Sequence, residues 1–187
     1  GALVLGTVTA VGGGIVRDII LGYLPPMAFR KSVYALTAVV TSLAVFVLAY
    51  FLGSKIKKHF DVYSQIINIF DSIGLSVFVI GGVNSAISCG FGENMFLSIF
   101  VATLTGVGGG VMRDIMAGRV PKILRKRVYA LAAIVGAILY YVLIWYKILP
   151  STPAIIIGAG SVLVIRILAT IFHWNLPTVK GLEEKNN

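Results

Sequence analysis

The sequence predicts an all-α integral membrane protein, an inverted-topology repeat of three-helix units plus a seventh helix. Three observations predict it. The 187 residues are 58% hydrophobic and only 12% charged, with a mean hydropathy of +0.95, too apolar for a soluble domain of this length. Residues 33–52 and 128–146 contain no charge over 20 and 19 residues, enough to cross ~30 Å of hydrocarbon at about 1.5 Å per residue. Finally, residues 7–40 and 103–135 are two copies of one segment. With Pro25 set aside as an insertion, 19 of 33 aligned pairs are identical. Duplication in an apolar chain indicates a protein built from internal repeats, with its working site between them.

The spans follow in order. Residues 2–21 and 33–52 open the chain, then 66–88, 95–116, 128–146 and 154–176. Four of these carry isolated polar residues and glycines, as expected where helices pack closely or line a cavity. Copy one lies on the first span and copy two on the fourth. An odd number of steps separates them, so the copies run in opposite directions through the bilayer. This divides the chain into repeat one at about 1–60, repeat two at about 66–149 and a final helix at 154–176. Repeat two begins with a full span, 66–88, that has no counterpart in repeat one, which predicts a further helix ahead of Gly1.

Loop charges orient the whole. Arg30, Lys31 and Lys147 fall on one side; Lys55, Lys57, Lys58, Arg119, Lys122, Arg125, Lys126, Arg127, Lys180 and Lys185 fall on the other. The second side, with the C-terminus, is therefore the cytoplasmic one in a cell membrane. The net charge of +9 is then a topology signal with contact to anionic lipids, and nucleic acid is not an expected partner. The single cysteine, Cys89, excludes an intrachain disulfide framework and a multi-cysteine metal site. No phosphate-binding loop and no Ser/His/Asp constellation is present. His59 and His173 suit the membrane interface better than catalysis. The expectation is no enzyme, no cofactor and no resident metal.

The most specific signal is the paired motif Gly12-Gly13-Gly14-Ile-Val-Arg17-Asp18 and Gly108-Gly109-Gly110-Val-Met-Arg113-Asp114. Each triplet removes every side chain over most of a turn and weakens a helix by about 1 kcal/mol per glycine. A break there exposes carbonyl oxygens able to replace the hydration shell of an alkali cation. Thr7, Val11, Gly14 and Asp18 share one helix face, as do Thr103, Val107, Gly110 and Asp114. Thr9 and Thr105 lie off that stripe but can add hydroxyls. The competing interpretation is close helix packing; recurrence in register with Arg-Asp favours the ion pathway. Arg17, Asp18, Arg113 and Asp114 either line the path or lock a kink by ion pairing. Adjacent Arg and Asp point about 100° apart on a helix, so each is expected to find its partner elsewhere. Arg166, inside the last span, must avoid lipid; it pairs with Asp18 or Asp114, or caps a broken helix. Asp71, Asn84 and Ser85 suit helix–helix hydrogen bonds.

With its paired glycine motifs, the following Gly22/Gly118 and Pro26/Pro121, and the Val-Tyr-Ala-Leu helix starts, the chain resembles the prokaryotic branch of the trimeric intracellular cation (TRIC) channel family. The resemblance implies a homotrimer in which every protomer holds a pore. It implies seven helices, with the second and fifth kinked at the glycine triplets, and potassium as a transient permeant ion. The chain departs from that pattern in lacking the first helix. The alternative is a secondary transporter of a small solute such as glycine, since inverted repeats and broken helices also suit alternating access. A purely structural, lipid-organising protein leaves the duplicated intramembrane charges unexplained.

Overall fold

A computed structural model describes residues 1–58, 60–125 and 128–172, with side chains outside 52–64 and 125–127. The expectations for Lys126, Arg127, His59, His173, Lys180, Lys185 and the C-terminus therefore lie outside the described residues. Among the described residues six helices are long and apolar enough to cross a membrane. They are α1 (Ala2–Ile20), α3 (Ser32–Lys58), α4 (Phe60–Ala86), α5 (Met95–Met116), α7 (Val128–Trp145) and α8 (Ser151–Ile171). Two single-turn helices, α2 (Met27–Arg30) and α6 (Lys122–Arg125), follow α1 and α5. The six expected spans match the six long helices. However, the basic loop expected around Lys55 is helical: α3 continues to Lys58 and α4 starts at Phe60.

The core sits among α4, α5, α7 and α8, around Leu75, Val79, Val83, Ala133, Tyr140 and Val162. Small residues let these helices approach closely, as packing in lipid requires. A Cβ at Gly136 would overlap the Val162 side chain, and one at Gly158 would press on Tyr140. Tyr140 donates its hydroxyl hydrogen to Asn84 Oδ1 at 2.7 Å, and Tyr141 donates to the Gly92 carbonyl at 2.7 Å. Asn84 thus takes its expected role in joining helices, whereas Ser85 donates only to Gly81 of its own helix. At the far end of α4 the chain passes through a π-helical turn, Ile87–Phe91, where Gly90 takes φ +89°, a value that favours glycine.

Candidate ion pathway

Helices α1 and α5 cross at their glycine triplets. A Cβ at Gly13 would overlap the Thr105 carbonyl oxygen, and a Cβ at Gly109 would overlap the Thr9 carbonyl oxygen. These contacts exchange under the repeat, because Thr9 aligns with Thr105 and Gly13 with Gly109. They also run antiparallel: the earlier residue of one helix meets the later residue of the other. Gly12 and Gly108 extend the seam, facing Gly109 and Gly13 of the opposite backbone. The third glycines, Gly14 and Gly110, do something else. Each makes room for the arginine one turn later in its own helix, whose guanidinium lies 3.8 Å from the position of an added Cβ.

This corrects one expectation. Neither helix is interrupted at its triplet; both run as single α-helices through it. The backbone groups keep their intrahelical partners, and the absent side chains admit the opposing backbone. The packing interpretation therefore accounts for Gly12, Gly13, Gly108 and Gly109.

The Arg-Asp pairs are corrected too. Arg17 Nε donates to Asp18 Oδ1 at 2.8 Å, and Arg113 Nε donates to Asp114 Oδ1 at 2.9 Å. Each arginine folds back onto its own neighbour, because its long side chain reaches around the helix end. The other carboxylate oxygen accepts a backbone N–H from the next short helix: Met27 N to Asp18 Oδ2 at 2.7 Å, Lys122 N to Asp114 Oδ2 at 3.0 Å. Both carboxylates are buried. Charge-assisted caps of this kind are among the stronger hydrogen bonds. Gly22 and Gly118 complete the device. At φ +70° and +65° they close α1 and α5 in Schellman turns, with Tyr23 N bonded to the Asp18 carbonyl and Arg119 N to the Asp114 carbonyl, each at 2.8 Å.

Beside the crossing lies a cavity of about 750 Å³ among α1, α3, α4, α5 and the start of α7. Of the sequence-predicted residues it gathers Thr9, Gly13, Thr105, Gly109, Gly110 and Arg113 on its wall, together with Thr41, Asp71, Gly74, Gly106 and Tyr129. Aliphatic and aromatic groups such as Val45, Leu48, Phe70 and Phe78 form the remainder. Thr7, Thr103, Gly12, Gly14, Gly108, Arg17, Asp18, Asp114 and Arg166 are not on that wall. The two repeat-related threonines on the wall are chemically matched. Thr9 Oγ1 donates to the Leu5 carbonyl and Thr105 Oγ1 to the Val101 carbonyl, both at 2.6 Å. A hydroxyl that spends its hydrogen on its own helix keeps acceptor lone pairs for another partner.

Arg166 finds neither Asp18 nor Asp114. Its guanidinium lies 3.7 Å from Asp71 Oδ2 and 4.5 Å over the Tyr129 ring. Lys122 Nζ approaches the same Asp71 oxygen at 3.8 Å. Asp71, ranked by sequence as a helix-joining group, is thus the carboxylate on the cavity wall. Its place one helix away from the motif explains why pattern reading passed over it. Among the described residues no cluster of three or more His, Cys, Asp or Glu could hold a metal ion.

The fold matches that of solved proteins along nearly the whole chain. A TRIC cation channel whose structure addresses conductance is 35% identical, covering 95% of this chain and 82% of that one at a TM-score of 0.79. The chain belongs to the TRIC family. The TRIC trimeric intracellular cation channel orthologue from Rhodobacter sphaeroides is 28% identical over 92% of this chain and 83% of that one, with a TM-score of 0.80. The inner membrane protein YadS of Escherichia coli is 35% identical over 178 residues, 95% of this chain and 82% of that protein. A membrane protein of Deinococcus radiodurans is 40% identical over 139 residues, 73% of this chain and 60% of that protein. The family model that matches residues 1–50 and 68–145 is described as glycine transporter. In this TRIC family member the matched region contains both glycine triplets, both caps and Asp71, while Arg166 lies beyond it.

Proposed function

We propose that the protein is a passive cation channel of the cell membrane, its path running through each protomer along the cavity beside the α1–α5 crossing. One observation carries this reading. Thr9 and Thr105, equivalent residues of the two repeats, sit on one cavity wall with their hydroxyl hydrogens already spent. Such oxygens are acceptors without a competing donor role, the chemistry a partly dehydrated cation needs. Gly109 and Gly110 stand on the same wall beside them. The lining residues Thr9, Thr105, Gly13, Gly109 and Gly110 are thus the path residues on this reading. Asp18 and Asp114, with Arg17 and Arg113, brace the helix ends that frame it.

The reading takes potassium as the permeant ion and a homotrimer with one pore per protomer; the Rhodobacter sphaeroides relative is described as a trimeric cation channel. The reading includes an inverted repeat, with repeat one at about 1–60, repeat two at about 66–149 and a final helix. It also places the Lys55 and Arg119 ends on the cytoplasmic side, with anionic lipid around them.

The description of the family model favours a second reading, a carrier of a small zwitterion such as glycine. Purified protein in liposomes separates the two. A channel gives ohmic current that reverses at the potassium potential under a potassium gradient. A carrier gives saturable glycine uptake without such current, and that result would overturn the channel reading. Within the channel reading, Thr9→Val with Thr105→Val is expected to cut potassium conductance several-fold at unchanged protein yield.

A further inference from the structure

Where α5 ends and α7 begins, beside the Asp71 and Arg113 part of the cavity wall, positive charge exceeds negative. Three cationic side chains, Arg113, Lys122 and Arg166, face two carboxylates, Asp71 and Asp114. Asp114 is committed to Arg113 and to the cap of α6. Asp71 is hydrogen-bonded by the Tyr129 side chain, but one of its oxygens is held less completely. Its Oδ2 has no hydrogen-bond partner, and the Lys122 and Arg166 nitrogens stand at 3.8 and 3.7 Å, beyond hydrogen-bond length.

The two cations differ in freedom. Arg166 is 4% exposed and stacked over Tyr129, whereas the Lys122 side chain is 33% exposed on a flexible four-carbon stem. It extends from a single-turn helix. Arg166 is built in; Lys122 can leave.

We propose that Lys122 is a tethered counter-ion that competes with the permeating cation for Asp71, so that the Asp71–Lys122 contact restricts entry at this end of the path. The proposal rests on the channel reading. A cation that reaches the Asp71 carboxylate must displace the ammonium or share the oxygen with it. The restriction is therefore strongest at low potassium and fades as potassium rises.

The charge of Lys122 sets the restriction. It is faced by Asp71 from α4, Arg113 and Asp114 from α5 and Arg166 from α8, with Tyr129 of α7 under the arginine. Burial pulls the Lys122 pKa below its ordinary value, Asp71 opposes that pull, and the result is a lowered pKa. With the ammonium charged the restriction stands. Raising the pH removes the proton and lifts it.

Potassium flux into proteoliposomes at low potassium, measured from neutral to alkaline pH, tests this. Lys122→Gln is expected to raise flux at least about fivefold at neutral pH, the bulk-water limit for one unit charge at about 4 Å, and to abolish the alkaline rise seen in the wild type. Lys122→Arg keeps the charge without a titratable ammonium, so it should hold flux near the wild-type neutral value and stay flat with pH. Both variants keep the backbone N–H that Asp114 accepts, so the cap is preserved. Wild-type protein that conducts while Lys122→Gln matches it at every pH would overturn the proposal and leave the channel standing. Wild-type protein without potassium flux would overturn the channel reading and the proposal with it.

Discussion

The two copies of the repeated segment share their local devices and differ in what surrounds them. Both helices end in the same Schellman turn, both arginines fold onto the same neighbour, and both aspartates cap the same position of the next short helix. Burial then diverges. Val128 and Tyr129 open α7 at 6% and 5% exposure, while the matching Val33 and Tyr34 open α3 at 70% and 51%. Thr105 is fully buried; Thr9 is half-buried. The cause lies outside the two repeated segments. Helices α4 and α8 cover α5 and α7, and they contribute Asp71 and Arg166, which have no equivalents among the described residues of copy one. Identical sequence therefore yields identical backbone chemistry, and its surroundings decide which copy carries a charge cluster.

The steepest test of this comparison is the tyrosine pair. Tyr129→Ala empties a buried site and leaves Arg166 without its ring, and is expected to cost about 3–5 kcal/mol. Tyr34→Ala should cost under about 1 kcal/mol. Thermal unfolding in detergent measures both, and an equally large loss at Tyr34 would show that another segment or protomer covers it. The crossing should behave oppositely, because its contacts are symmetric. Gly13→Ala and Gly109→Ala each force a Cβ into the other helix's carbonyl and should destabilise by about 1–3 kcal/mol apiece, to similar extents. Leucine at both positions is then expected to lose folded protein before it alters a pore, and normal conductance in that double variant would refute the crossing. Asp18→Ala and Asp114→Ala each remove a buried charge-assisted cap and should cost about 2 kcal/mol equally; cation preference should stay unchanged in Asp18→Ala, whose carboxylate and arginine partner both lie off the cavity wall, and a shift in its reversal potential would argue otherwise. Smallest are Gly22→Ala and Gly118→Ala, at about 1 kcal/mol each, since both positions require positive φ.

Much of this architecture was legible in the chain itself. Apolar length located all six long helices, because a span must satisfy its backbone internally and that demand is written in composition. The duplication located the two triplets and related them. Gly22 and Pro26 recur as Gly118 and Pro121, and the structure puts them where α1 and α5 stop and the short helices begin. Less legible was what the glycines and charges do. A run of three glycines is consistent with a broken helix or with a close crossing, and the choice depends on whether another backbone arrives to fill the space. Here α1 and α5 arrive for each other, so the helices stay intact. Adjacent Arg and Asp appeared to need distant partners because a helical wheel places their Cβ atoms apart; it does not show a guanidinium reaching back around a helix end.

What the sequence by itself determined was local and periodic: the spans, their order, the duplicated segment and the residue types able to bind or brace. Tertiary structure alone decided that Gly13 meets Thr105 and Gly109 meets Thr9, that Thr9 and Thr105 share a cavity, and that Arg166 and Lys122 converge on Asp71 from helices far apart in the chain. The physical reason is that hydrophobic length and backbone preference act over a few residues. The fate of a buried charge or a bare glycine depends on which surface packs against it, and that is a property of the assembled helices.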